Sequence, residues 1–133
     1  MSSGQVSTME IGQWGERVAA KHYKAQGYRI VEQNWRVVHK EIDLIAENRD
    51  YIVFVEVKTR SSDFMRPAAA VTHDKQRLLI NAARSYLRQH PTDKQPRFDV
   101  VEVYAAKNER KGWFVPKLKL QKITVIPGAF GLS

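Results

Sequence analysis

The run from Tyr51 to Thr59 constrains this chain more than any other segment. Its centre, Ile52-Val53-Phe54-Val55, is apolar at both parities, the pattern of a central strand covered on both faces. Side chains alternate along a strand, so Ile52, Phe54, Glu56 and Lys58 share one face, which begins apolar and ends in two charges. A chain built around such a strand must supply cover for both sides of its sheet, and two-sided cover by helices is the α/β sandwich.

The flanking segments supply that cover. Ser7-Thr8-Met9-Glu10 fits the S/T-x-x-E capping box with Ser7 as N-cap. Ile11, Trp14, Val18 and Ala25 then recur at helical spacing, and Gly27 supplies a stop, which predicts a first helix over about Thr8 to Gln26. Three strands follow: a short one at Tyr28–Glu32 ended near Asn34, a second at Glu41–Ala46, and the Tyr51–Thr59 run. The polar Glu47-Asn48-Arg49-Asp50 between the last two is short enough for a hairpin. A second helix is expected from about Thr72 to Gln89, with Leu78, Leu79, Ala82, Tyr86 and Leu87 buried. Pro91 and Pro96 bracket the next loop, Phe98–Ala106 is a strand, and Lys122–Ile126 a last one at the sheet edge. The basic segment Lys107–Leu120 carries no pattern that assigns it. The order is helix, three strands, helix, strand, with a mixed sheet. The second helix is long enough to make Tyr51–Thr59 and Phe98–Ala106 parallel neighbours.

Chemistry enters through the hairpin. If it turns at Arg49-Asp50, paired residue numbers sum to 99 and Asp43 falls opposite Glu56. Opposed residues share a face with Cβ atoms about 4.5–5.5 Å apart. Two carboxylates that close repel unless a positive charge sits between them, and hard oxygen donors suit Mg²⁺ or Mn²⁺. Lys58, two residues beyond Glu56, would stand beside that ion and stabilise charge developing on a scissile phosphate. The reaction this assembles is phosphodiester hydrolysis. A lone E-x-K on a strand also occurs as an ordinary solvated charge pair. The second carboxylate in register and the position near the carboxyl end of a strand feeding a crossover helix favour a site.

Composition sets the frame. The 133 residues, 43% apolar, make one domain, 1–133, with an ordered core of about 8–127 behind a polar tail, 1–7. There is no cysteine, hence no disulfide and no thiolate metal site. No stretch is long and apolar enough to span a membrane, and Met1–Ser7 lacks an apolar signal core, which leaves the cytoplasm by elimination. The net charge of +8 suits nucleic acid or an acidic membrane surface, and equally a merely soluble basic protein. His22, His39, His73 and His90 show no ligand spacing, and no phosphate-binding glycine loop appears. Glu16 lies on a helix face with Gly12, Ala19, Ala20 and Tyr23. That small-residue face could pack closely on the sheet and aim Glu16 at its end; the plain alternative is an exposed helix glutamate. Glu41 shares parity with Asp43 and reads either as a group supporting the site or, by a slight preference, as a plain surface charge. Lys75, Arg77, Arg84 and Arg88 make the second helix basic, whether for phosphate contact or simply as a solvated face.

The chain also resembles a known family. Glu41-Ile42-Asp43-Leu44-Ile45-Ala46 followed by Val53-Phe54-Val55-Glu56-Val57-Lys58-Thr59-Arg60 is similar to the D…E-x-K core of the PD-(D/E)XK nuclease superfamily. Gly15-Glu16, Gly27-Tyr28, Asn34-Trp35-Arg36, Lys75, Ala82, Tyr86-Leu87 and Arg97-Phe98-Asp99-Val100-Val101 resemble the YraN family of bacterial proteins, relatives of archaeal Holliday-junction resolvases. The likeness covers roughly residues 9–130. It implies a restriction-endonuclease-like αβββαβ sandwich, with Asp43 and Glu56 as metal-binding acids, Lys58 as the catalytic lysine, and Glu16 helping to hold metal or water. Ile42 stands where the superfamily motif has proline, a residue that shapes the strand and does no chemistry. The reading implied is a Mg²⁺- or Mn²⁺-dependent endonuclease acting on DNA, including branched or damaged forms, with Thr59, Arg60, Lys75 and Arg77 against the backbone. By analogy with resolvases it is a homodimer. The alternative is a nuclease fold that binds nucleic acid or protein without cutting.

Overall fold

Ser7 caps the first helix as its sequence requires, its Oγ accepting from the Glu10 amide at 3.1 Å. The computed structural model describes residues 7–61, 71–110, 112–113 and 116–131. The tail expected over 1–7 lies outside these except for Ser7. Helix α1 spans Thr8–Ala25, and Gly27, at φ +91°, turns the chain out of it as few L-residues could. Strands β1 (Arg29–Val37), β2 (Lys40–Glu47) and β3 (Tyr51–Ser61) follow, then helix α2 (His73–Gln89), β4 (Gln95–Lys107) and β5 (Leu118–Phe130). Thr72 caps α2 through its side chain, which accepts from the Lys75 amide.

The strands form one mixed sheet in the order β1-β2-β3-β4-β5. Only the β3–β4 pair is parallel, with α2 as its crossover; the other neighbours are antiparallel. The β2–β3 register is the anticipated one: Leu44 pairs with Val55 and Glu47 with Ile52. Asn48 fixes the turn, its Oδ1 accepting from the amides of Asp50 and Tyr51.

Alternation divides the core in two. Leu44, Ala46, Val53, Val55, Val101 and Val103 pack under Ala19, Ala20 and Tyr23 of α1. Ile45, Ile52, Phe54 and Phe98 pack under Leu79, Ala82, Ala83 and Tyr86 of α2. The two-sided burial read from Ile52-Val53-Phe54-Val55 is therefore literal, one parity to each helix.

Several boundaries differ from the sequence reading. Asn34 does not end β1. It takes a left-handed φ of +53° inside the strand, a conformation asparagine tolerates, and pairing resumes beyond it. Strand β4 outruns its apolar stretch because β3 gives it partners from Gln95 onward, so Pro96 sits within it; β5 does so because β4 pairs with it from Leu118 to Phe130, so Pro127 sits within it. On α1 the sheet-facing side is Gly15, Ala19, Ala20 and Tyr23, with Trp14 and Val18 flanking it and Ala25 exposed. On α2, Leu78 is 43% exposed, while Ala83, not among the residues expected to be buried, joins Leu79, Ala82 and Tyr86 in the buried stripe. Among the described residues, no helix is long and apolar enough to cross a membrane.

Candidate active site

Glycine at position 15 sets how α1 meets the sheet. A Cβ there would lie 1.8 Å from Thr59 Oγ1 and 2.9 Å from Thr59 Cβ, so only glycine lets the helix approach β3 this closely. The next residue, Glu16, is thereby lowered onto β2. Glu16, Glu41 and Asp43 each offer a carboxylate oxygen, and these atoms all lie within 4.8 Å of one another. The small-residue face of α1 aims Glu16 as anticipated.

The left-handed Asn34 is what joins Glu41 to this group. Its amide nitrogen, in the orientation the carboxylates require, donates to Glu16 Oε2 at 3.0 Å and Glu41 Oε1 at 2.6 Å. Glu41 is further held by Arg36 Nε at 3.0 Å. Of the two readings of Glu41, a group supporting the site or the slightly preferred surface charge, the structure favours the first, since it belongs to the acidic cluster. Its shared parity with Asp43 was the available signal.

Asp43 sits where the pleat slips. Ile42 belongs to the core beneath α2 and Leu44 to the core beneath α1, so strict alternation fails between them. The β1–β2 pairs pass from Gln33–Leu44 to Trp35–Ile42, skipping Asn34 and Asp43, and the β2–β3 ladder stops at Leu44–Val55. Freed from the ladder, Asp43 accepts the Val57 amide through Oδ2 at 2.8 Å. Its carboxyl is pushed up to about 7, first by burial, then by the Glu56 charge. The Val57 hydrogen bond opposes the rise, Glu16 adds to it and Lys40 opposes it. Burial likewise raises Glu16, with Asn34 opposing and the Glu41 and Glu56 charges adding to it.

Glu56 keeps the parity of Ile52 and Phe54 and is only 8% exposed. It lies near enough to raise Asp43 but outside the Glu16–Glu41–Asp43 group. Glu16 and Glu41 thus join Asp43 in a three-acid cluster, with Glu56 beside it. Two lysines flank Glu56: Lys58 Nζ is 3.4 Å from Oε1, and Lys40 Nζ is 3.6 Å from Oε2. Oε2 is buried and accepts no hydrogen bond. Lys40 was not singled out in the sequence, because it lies outside the E-x-K motif.

The residues expected at the DNA backbone are dispersed. Thr59 packs against Gly15, and Arg60 Nε is 3.9 Å from Glu102 Oε2. Lys75 and Arg77 are exposed on α2, across the sheet from α1 and Glu16, and Arg77 pairs with Asp74.

A protein-family model described as "Uncharacterised protein family UPF0102" matches residues 15–103, a span that includes Glu16, Asn34, Glu41, Asp43, Glu56 and Lys58. The chain belongs to the UPF0102 family. This is the YraN family that the sequence resembles. A UPF0102 protein of Caldanaerobacter subterraneus is 39% identical over 128 residues, covering 95% of this chain and 98% of that one. Another from Flavobacterium psychrophilum is 39% identical over 103 residues, 77% of this chain and 87% of its own. One from Chlorobium phaeobacteroides is 44% identical over 95 residues, 70% and 75% respectively. The first of these relatives extends the likeness past the family model into β5.

Proposed function

We propose that this UPF0102 protein is a divalent-metal-dependent nuclease with a restriction-endonuclease-like core, hydrolysing phosphodiester bonds in DNA. The observation that carries the reading is the concentration of Glu16, Glu41, Asp43 and Glu56 around the end of the β2–β3 ladder, with Lys58 and Lys40 beside them. Four carboxylates so placed repel one another, which adds to burial in raising Asp43 and Glu16, and a cation relieves that repulsion. The donors are all hard oxygens, fitting Mg²⁺ or Mn²⁺ and not zinc.

Asp43 and Glu16 are the ligands this arrangement offers most directly. Val57 engages one oxygen of Asp43, and Asn34 one oxygen of Glu16. Glu41, committed to Arg36 and Asn34, orients the others. Glu56 holds a buried, unsatisfied Oε2 in reserve for an ion or for a water. A divalent cation bound there supplies Lewis-acid polarisation of a phosphate and lowers the pKa of water.

The protein's own groups do the rest. Lys58 and Lys40 neutralise Glu56 in the ligand-free chain and are the cations to which an entering phosphate turns. Lys58 then stabilises charge developing on the phosphoryl oxygens. Glu56, released from its lysines, is placed to orient a water or take its proton. The net charge of +8 draws the polyanion in without reading its sequence.

The test is incubation with end-labelled single strands, duplexes, flaps and four-way junctions in Mg²⁺, Mn²⁺ or EDTA. Cleavage of at least one form in a metal, abolished by EDTA and by Asp43→Asn, is expected. No cleavage of any form in either metal would leave the rival, a nuclease scaffold that only binds.

A further inference from the structure

The β1–β2 hairpin ends in a turn whose sequence does not suit its shape. Val37 pairs with Lys40, so the turn is the two residues Val38 and His39. Turns this tight favour a positive φ at the first central residue, and glycine or asparagine is the usual occupant. Here the occupant is Val38, at φ +31°, a region that β-branched side chains rarely adopt. Packing gives nothing in return: Val38 is 88% exposed, and its neighbour Val37 supplies the contact with the core beneath α2. A single exposed valine calls for no explanation. One held in water by a conformation that costs the backbone points to a use outside the fold.

Both arms of the hairpin are tied to the carboxylates. Arg36 Nε donates to Glu41 Oε2 at 3.0 Å, and Lys40 Nζ lies 3.6 Å from Glu56 Oε2. Because β2 and β3 are antiparallel, the turn projects from the end of the sheet towards which Glu56 and Lys58 run. Val38 is three residues from Glu41, about 10 Å along the strand. That distance is about three steps of a nucleic-acid helix. The tip therefore stands at a fixed, short reach from the acids, with a cation on each arm behind it.

We infer that Val38 is a wedge that enters a stacked nucleic acid and parts two bases a few nucleotides from the bond to be cut. The inference rests on the nuclease reading and extends it from the chemistry to the shape of the bound substrate. Apolar side chains pushed between base steps unstack them and kink the duplex, while cations beside them hold the phosphates. Valine has no ring on which a lone base could stack, so the ligand it fits is one whose bases are already stacked. A second copy of this chain fits poorly, because a stable protein interface buries on the order of 800 Å² per partner and a two-residue tip offers far less. A lipid surface would take an apolar tip but gives no reason for its arms to be tied to carboxylates.

The test uses short duplexes carrying 2-aminopurine at successive positions, bound in EDTA so that no strand is cut. This base brightens when it loses a stacking neighbour, so wild type should raise its emission by at least about twofold at one or a few positions. Val38→Asn, which tolerates the turn but is polar, should abolish the rise without lowering the melting temperature. Its affinity should fall by less than about tenfold, because the phosphate contacts remain. Val38→Ile, aliphatic as before, should keep the rise. No rise with wild type, or a rise that survives Val38→Asn, would overturn the inference. So would an effect of Val38→Asn confined to the sedimentation coefficient or to binding of phosphatidylserine vesicles, which would assign the tip to a second copy or to a lipid surface. The readout needs no cleavage, so a rise with wild type that cuts nothing in either metal would sink the nuclease reading and leave the wedge on a scaffold that only binds.

Discussion

Replacing Gly15 by alanine should both destabilise the protein and damage the site, although alanine is the better helix former. In an exposed helix the change would stabilise by about 1 kcal/mol. Here the added methyl would sit 1.8 Å from Thr59 Oγ1, 2.9 Å from its Cβ and 3.0 Å from its Cγ2. Rotating Thr59 moves the hydroxyl but not Cβ, so α1 itself must retreat, by on the order of 1 Å to restore ordinary contact. Overpacking of this kind costs about 1–3 kcal/mol, which offsets the propensity gain and leaves a net loss of up to about 2 kcal/mol. For a chain of this size that lowers the melting temperature by several degrees, roughly 3–4 °C per kcal/mol. Retreat of α1 also lifts Glu16 from Asp43, and a displacement near 1 Å at a reacting centre can cost on the order of 10²-fold in rate. Differential scanning calorimetry and a single-turnover cleavage assay read the two effects. Thr59→Gly in the Gly15→Ala background removes every clashing atom and should recover part of both, measured as a positive coupling in a double-mutant cycle. A Gly15→Ala protein that melts at or above the wild-type temperature and cuts normally would refute the close-approach argument.

The raised Asp43 carboxyl fixes a pH dependence. The group is near 7 when folded, against an ordinary aspartate value of 3.8, so between those values the native state holds the extra proton. Its contribution to stability is therefore present below about pH 4 and is lost as pH rises towards 7. Metal-free Asp43→Asn should show a flatter urea-unfolding stability profile over that window and exceed wild type at pH 8. Lys58→Ala should cut turnover on the order of 10²–10³ under saturating metal while the protein stays folded, as gel-based cleavage and circular dichroism would show. Asp99 is 1% exposed and accepts from Tyr23, from two nitrogens of Arg97 and from the Gly128 amide. Asp99→Ala strands a half-buried guanidinium and should cost about 3–5 kcal/mol in urea denaturation.

The parts legible in the sequence are those governed by local rules. The Ser7 cap, the two-sided Ile52–Val55 strand and the hairpin turning at Arg49-Asp50 follow from capping, alternation and turn chemistry, each decided within a few residues. The small-residue face that carries Glu16 belongs to the same class. What was not legible depends on contacts distant in the chain. Asn34 carries the signature of a strand breaker, and the pairing of Gln33 and Trp35 with β2 on either side, together with its bonds to Glu16 and Glu41, keeps it within β1. The gap in β2 pairing at Asp43 coincides with the left-handed Asn34 in the neighbouring strand. Lys40 meets Glu56 across a hairpin, and nothing in its own surroundings marks it. β5 outruns its apolar stretch because β4 gives it partners from Leu118 to Phe130.

If Asp43 anchors a divalent cation in the acidic cluster, titration calorimetry with Mn²⁺ at pH 8 will register the ion. One ion per wild-type chain is expected, with affinity falling by about tenfold per pH unit below pH 7 as Asp43 takes its proton, binding abolished in Asp43→Asn and retained in Lys58→Ala. Equal Mn²⁺ binding by wild type and Asp43→Asn, or none by wild type, would contradict it.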